Sequence, residues 1–176
     1  NINVHHPEAG FRYEFTPEST IEILHAQADD LPNATIDVND LSLIMKWSIN
    51  DTTVLFTGDL NDRVGTVLSN DPRMRSNILK MPHHGASGIA PNEFFDQVDP
   101  DAVLVPGPKW IWCGERGAQA REWVEGKQLP VWVNGIDGHI KVEFFDDHII
   151  VTPETISQEC KRLAFGRMEF RPKNNE

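Results

Sequence analysis

Two apolar runs near the middle of the chain each stop at residues that hold metals. Thr53 to Thr57 breaks at Gly58-Asp59, and Asn77 to Met81 breaks at Pro82-His83-His84-Gly85. A carboxylate and an imidazole brought together at two strand ends are the ligand chemistry of zinc, manganese or iron. Such a cation acidifies a bound water and polarises a scissile bond, so metal-dependent hydrolysis is the chemistry these residue types suit. Asp59 and His84 are the candidate catalytic groups. Asp59, His83, His84 and, more weakly, Asp40 are the candidate metal ligands. Consecutive histidines project in different directions, so one can bind metal while the other orients a substrate or a ligand.

Each residue also has a plainer reading. Asp59 precedes a short helix and could cap it. His83-His84-Gly85 could be a surface turn, and Asp40 could cap the turn into the next strand. Cys113 could be a soft ligand or a small buried apolar residue. His5-His6 reads as a solvated end, and His139 and His148 as ordinary surface or core-edge residues. His25-Ala-Gln27-Ala-Asp29-Asp30 imitates the pattern His-x-His-x-Asp-His, but Gln27 is a poor ligand and Asp30 stands where a histidine belongs. It reads as a surface loop. No Gly-x-Ser-x-Gly elbow, phosphate-binding Gly-Lys-Ser/Thr loop, dinucleotide fingerprint or Cys-x-x-Cys pair is present.

The elements that must position these residues follow from periodicity. Thr20–His25 alternates as a short strand, and Asn39 to Trp47 leads into a nearly continuous apolar strand of the kind covered on both faces. Asn50-Asp51 is the corner of a hairpin to a return strand over Thr53–Thr57. Asp62–Leu68 reads as a helix with Val64, Val67 and Leu68 on one face. Further strands fall at Asn77–Met81, Asp101–Val105, Val131–Val133, Ile140–Phe145 and His148–Val151, with helices at Pro91–Val98 and Glu115–Glu125. The aromatic connection Lys109-Trp110-Ile111-Trp112-Cys113 plugs a core edge or lines a pocket. Residues 1–20 read as polar and turn-rich. The end of the chain reads as one helix around Ile156–Leu163 and a charged, fraying tail.

At 176 residues the chain fits a single domain with a real core, about 20–151, followed by a tail over 152–176. The net charge is −11 with no block of Lys or Arg, which argues against tight non-specific binding to a phosphate backbone. The two cysteines, Cys113 and Cys160, imply no disulfide framework and suit a reducing, cytoplasmic compartment. No apolar run reaches the ~20 residues of a membrane span.

The order of motifs resembles the metallo-β-lactamase superfamily. Asn39-Asp40-Leu41-Ser42-Leu43-Ile44, Leu55-Phe56-Thr57-Gly58-Asp59-Leu60 and Leu79-Lys80-Met81-Pro82-His83-His84-Gly85-Ala86-Ser87 carry the resemblance, which spans about residues 20–145. The branch it resembles contains the hydrolase domain of the DNA-uptake competence protein ComEC. The resemblance implies an αββα sandwich with two divalent metals, often zinc, at one edge. Asp59 then matches the carboxylate that bridges them, and His83 or His84 a ligand of the second metal. Asp40 stands where a third motif would be. The leading His-x-His-x-Asp-His motif is absent, so the resemblance is to the C-terminal half of the fold. The Trp110-to-Cys113 stretch replaces a His-Pro that relatives often carry. Two functions follow as expectations of the resemblance, beside a third, a stand-alone binding module unrelated to metal in which Asp59 is a cap and His83-His84 a surface turn. One is a hydrolase whose metal-bound hydroxide attacks a phosphodiester, ester or lactam, completed by an N-terminal half or a partner chain. The other is a non-catalytic domain of the same fold with a binding or structural role. The substrate, small molecule or nucleic acid, is left open, as is a homo-oligomer.

Overall fold

The computed structural model describes residues 8–26, 37–161 and 166–173. The chain opens as an antiparallel meander of β1 (Arg12–Thr16), β2 (Ser19–His25), β3 (Ile44–Ile49) and β4 (Thr52–Phe56). Ile49 faces Thr52 across a two-residue corner, and Asn50 takes the positive φ that closes it. From β4 onward the sheet is parallel, adding β5 (Ile78–Lys80), β6 (Ala102–Val105) and β7 (Val131–Val133). The seven strands lie side by side in chain order.

That order decides where the helices go. Parallel neighbours joined by right-handed crossovers and always stepping the same way carry every connection over one face. The helices α1 (Asp62–Leu68), α2 (Asn92–Val98), α3 (Lys109–Cys113), α4 (Ala118–Gly126) and α5 (Asn134–Asp137) accordingly supply one layer. Leu55, Leu79, Val103 and Val133 from the sheet meet Val64, Phe94, Phe95, Trp112 and Trp123 from the helices in the larger core. Gly65 lets α1 approach α2 closely, because a Cβ there would stand 2.5 Å from the Ala90 Cβ.

The opposite face is covered by a smaller antiparallel sheet of β8 (Ile140–Phe144), β9 (Ile149–Pro153) and β10 (Met168–Phe170), in the order β10-β9-β8. Val54, Ile78, Ala102 and Trp132 pack there against Ile149 and Val151. The cover is partial. β8 is an edge strand, and beside it a cavity of about 400 Å3 opens between the sheets, walled by Trp47, Phe56, Lys80, Leu104, Val142 and Phe144. The register Tyr13–Ile21–Trp47–Val54 carries this face out to β1. There Phe11, Tyr13 and Phe15 are exposed, Tyr13 and Phe15 meeting edge to face.

The α/β class is as the sequence predicts, and α1 keeps its expected bounds. Several expectations are corrected. Residues 12–16 form β1 rather than a turn-rich lead, and part of the charged tail forms β10. The aromatic connection is helix α3, which buries Ile111 and Trp112. Val67 points outward, and Gly65 takes its place on the inner face of α1. Asn134-Gly135 begins the single helical turn of α5. Within the helix expected at Ile156–Leu163, the described residues hold only a 3-10 turn at Glu159–Lys161. β3 is not covered on both faces: only Ile44 is fully buried.

Cys113 and Cys160 are joined in a disulfide, 47 residues apart in sequence. The bond ties the segment after β9 to α3, where Lys109 and Glu159 also pair at 2.7 Å. Such bonds are rare in reducing surroundings, so the cysteines no longer support a reducing compartment. Chain-entropy arguments give about 4 kcal/mol for a loop of this length, an upper value. Reduction, or Cys160→Ser, is expected to lower the unfolding free energy by about 2–4 kcal/mol in urea titrations. Thiol titration of the native protein should find no free sulfhydryl.

Candidate functional site

The site forms where β4, β5 and β6 end. Beyond Phe56, Thr57 is buried and its hydroxyl donates to the Lys80 carbonyl at 2.7 Å, clasping the ends of β4 and β5. Gly58 then turns with φ of +54, and a Cβ there would lie 3.1 Å from the Ser42 Cβ. The Asp59 N–H donates to Ser42 Oγ at 3.1 Å. Leu60, fully buried, anchors the far side of the turn. Asn61 is the N-cap of α1, its side chain accepting from the Val64 N–H. The capping role open to Asp59 therefore belongs to Asn61, and the Asp59 carboxylate faces out of the turn.

The second loop is strained. His83 and His84 have φ of +45 and +59, and Gly85 follows at +74. Left-handed backbone costs a non-glycine residue ~1 kcal/mol or more, and two in succession persist only where the surroundings impose them. Those surroundings are visible. The His83 N–H donates to the Gly58 carbonyl at 3.3 Å, and Gly85 is wedged against Val105 and Trp112. Gly107 passes so close that a Cβ on it would lie 2.4 Å from the His84 carbonyl oxygen.

This backbone sends the two rings different ways. His84 Nε2 lies 3.8 Å from Asp59 Oδ1, and its Nδ1 is 2.7 Å from the Pro106 carbonyl. A carbonyl only accepts, so Nδ1 carries a proton, and in the neutral ring it is Nε2 whose lone pair faces Asp59. The His83 ring is 6.4 Å from that of His84, and its Nδ1 is buried without a hydrogen-bond partner among the described residues. His84 is thus the histidine brought to Asp59.

Two donors, each about 2 Å from a shared zinc, can stand no more than about 4 Å apart. The Asp59–His84 separation fits that limit. Both side chains are close to half exposed, at 42% and 48%, so a cation and a substrate can reach them. Orientation of an imidazole by a carbonyl on its other nitrogen is the usual support of a metal-binding histidine. Among the described residues, no group of three or more His, Cys, Asp or Glu side chains that could hold a metal forms. The pair fits two ligands of a site, short of the three a catalytic zinc needs.

Asp40 is not part of this pair. It is fully buried, with Oδ1 accepting from Asn61 Nδ2 at 2.8 Å and Oδ2 accepting from the Asp37 N–H and from Arg63, each at 2.9 Å. The Asn61 amide outweighs the cost of burial, and with the Asp37 N–H, Arg63 and His25 it holds the Asp40 carboxyl below the usual carboxylate range. Asp40 and Asp37 also form a capping box on the 3-10 turn Val38–Leu41. Its engaged oxygens make Asp40 a support of the Asp59 turn, through Asn61, rather than a ligand.

His25 is buried at the end of β2, while Gln27, Asp29, Asp30, His5 and His6 lie outside the described residues. His148 pairs with Asp147 and stacks on Phe145, and Cys113 is bonded to Cys160. Sequence reading missed Ser42, Asn61 and Lys80, although Ser42 and Lys80 stand inside the quoted motifs. The Pro106 carbonyl, being backbone, left no side-chain signal. Comparison with protein-family models and with curated proteins returned no match.

A carboxyl held low in the fold stabilises it above the ordinary carboxylate value and loses that contribution as pH falls through the lowered one. Asp40→Asn is therefore expected to lower stability at pH 7, with the gap to the natural protein closing below about pH 4. Urea midpoints at pH 7, 5 and 3 measure this, and a gap constant across that range would contradict it.

Proposed function

We propose that this chain is the C-terminal half of a metallo-β-lactamase-type αββα sandwich, in which Asp59 and His84 hold a divalent metal of a hydrolase. The observation that carries this reading is the pairing of Asp59 and His84 across 3.8 Å, with the His84 tautomer set by Pro106 so that Nε2 is free to ligate. When bound, a cation of the zinc, manganese or iron type supplies Lewis acidity and lowers the pKa of a water to about 7. Asp59 offers a carboxylate able to bridge two such cations, and its exposure leaves room for an ester or phosphodiester beside it. His84 is held in one orientation by the Pro106 carbonyl, and the half-buried His83 ring, 6.4 Å from that of His84, stays outside the pair. The remaining ligands come from outside the described residues or from a partner chain.

The incomplete second layer supports that last point. A sheet with β8 as its free edge, beside a cavity walled by Trp47, Phe56 and Phe144, presents apolar surface that further strands could cover. A second reading is a non-catalytic domain of the same fold with a binding or structural role. Its support is the two-donor set, one ligand short of a catalytic zinc site.

Zinc competition titrations and metal analysis test the proposal. Asp59→Ala and His84→Ala are each expected to weaken zinc binding at least tenfold with little change in melting temperature, and His83→Ala to weaken it less. Equal zinc affinity in the natural protein and His84→Ala would reject the site. Phosphodiester and ester turnover by metal-loaded protein, lost on Asp59→Ala, separates the hydrolase from the non-catalytic domain.

A further inference from the structure

Among the described residues, Lys80 is the one charged side chain in the wall of the inter-sheet cavity, in an otherwise largely apolar lining. The register Met45–Phe56–Lys80–Leu104–Trp132 sets it in an otherwise apolar row. Burial lowers its pKa and Asp59 only partly offsets this, so an ammonium here costs the fold stability that an apolar side chain would not. What it touches explains its presence. Lys80 Nζ donates to the Gly58 carbonyl at 2.6 Å, and the His83 N–H donates to the same oxygen at 3.3 Å. The other end of that peptide unit, the Asp59 N–H, is held by Ser42 Oγ at 3.1 Å. One peptide plane, fixed at both ends, thus sets the direction of the Asp59 side chain and joins it to the histidine loop.

We propose that Lys80 is a positioning residue: through the Gly58 carbonyl, its ammonium locks the Asp59 turn and the His83-His84 loop into one unit and so holds the Asp59–His84 pair at ligand distance. The proposal rests on reading that pair as metal-binding. The Lys80 backbone reinforces the lock, since its carbonyl accepts from the Thr57 hydroxyl at 2.7 Å. A charge-assisted bond is the stronger kind, and here it is partly buried.

Lys80→Met and Lys80→Arg separate positioning from a merely structural role. Met fills the apolar row, so Lys80→Met is expected to have a urea midpoint equal to or above that of the natural protein. Exchange of the His83 amide, followed by nuclear magnetic resonance, should accelerate about tenfold or more as the shared carbonyl is released. Zinc affinity should fall about tenfold, the size of effect a residue supporting a ligand has, and Lys80→Arg should restore most of both. Unfolding of Lys80→Met would make Lys80 structural and overturn the proposal. So would His83 exchange or zinc affinity within about twofold of the natural protein. If the natural protein binds no zinc at all, the metal reading fails, and the exchange measurement alone still decides whether Lys80 ties the two loops.

Discussion

Four parallel strands taken in chain order, β4 to β7, are the constraint on which the rest of the molecule depends. Parallel pairing puts the C-terminal ends of β4, β5 and β6 at one edge, and the right-handed crossover rule for parallel strands taken in chain order collects the helices on one face. Asp59, the histidine loop and Pro106 are the residues that follow those ends, so neighbouring parallel strands deliver them together. Open parallel sheets put ligand sites outside the carboxyl ends of their strands, and the Asp59–His84 pair lies at such an edge. The same constraint leaves the second face without helices. Later chain must cover it, and β8 to β10 do so only in part.

What holds the edge in shape is polar and layered beneath it. Asn61 both caps α1 and donates to Asp40, so one side chain joins the start of the helix to a buried carboxylate. Asp40 in turn is neutralised by Arg63 and by the backbone of its own 3-10 turn. Ser42, two residues on, holds the Asp59 amide. A buried ion pair of this sort is weak evidence for stability, since apolar packing of equal volume often serves as well or better. Its value here is directional: it fixes where the turn before α1 leaves the sheet.

Much of this arrangement was legible in the sequence, for identifiable reasons. Apolar runs ending in Gly58-Asp59 and Pro82-His83 announce both strands and the residues beyond them, because glycine and proline end strands by their backbone chemistry alone. The meeting of Asp59 with His84 rather than His83 was not legible, since it follows from two left-handed residues that no side-chain pattern announces. β1 hid because both of its faces are exposed, so neither shows the polar-against-apolar contrast that marks a half-buried strand. Cys113 and Cys160 could not be paired from spacing, since a bond depends on how near the chain brings them, here 5.6 Å between Cα atoms. Lys80 was visible inside a quoted motif, but the group it meets, the Gly58 carbonyl just past the end of the neighbouring strand, is backbone and left no side-chain signal.

The left-handed pair at His83 and His84 has a consequence for how this protein would vary under selection. Glycine adopts that backbone without the ~1 kcal/mol or more that a side chain costs there, an advantage partly offset by the greater freedom of glycine in the unfolded chain. Variants sampled only for thermal endurance should therefore drift toward glycine at 83 and 84 and lose the imidazoles. Variants sampled for whatever the imidazoles do should keep them at a lower melting temperature. On the proposed metal-binding reading, the two histidines mark the point where folding and function pull the chain in opposite directions.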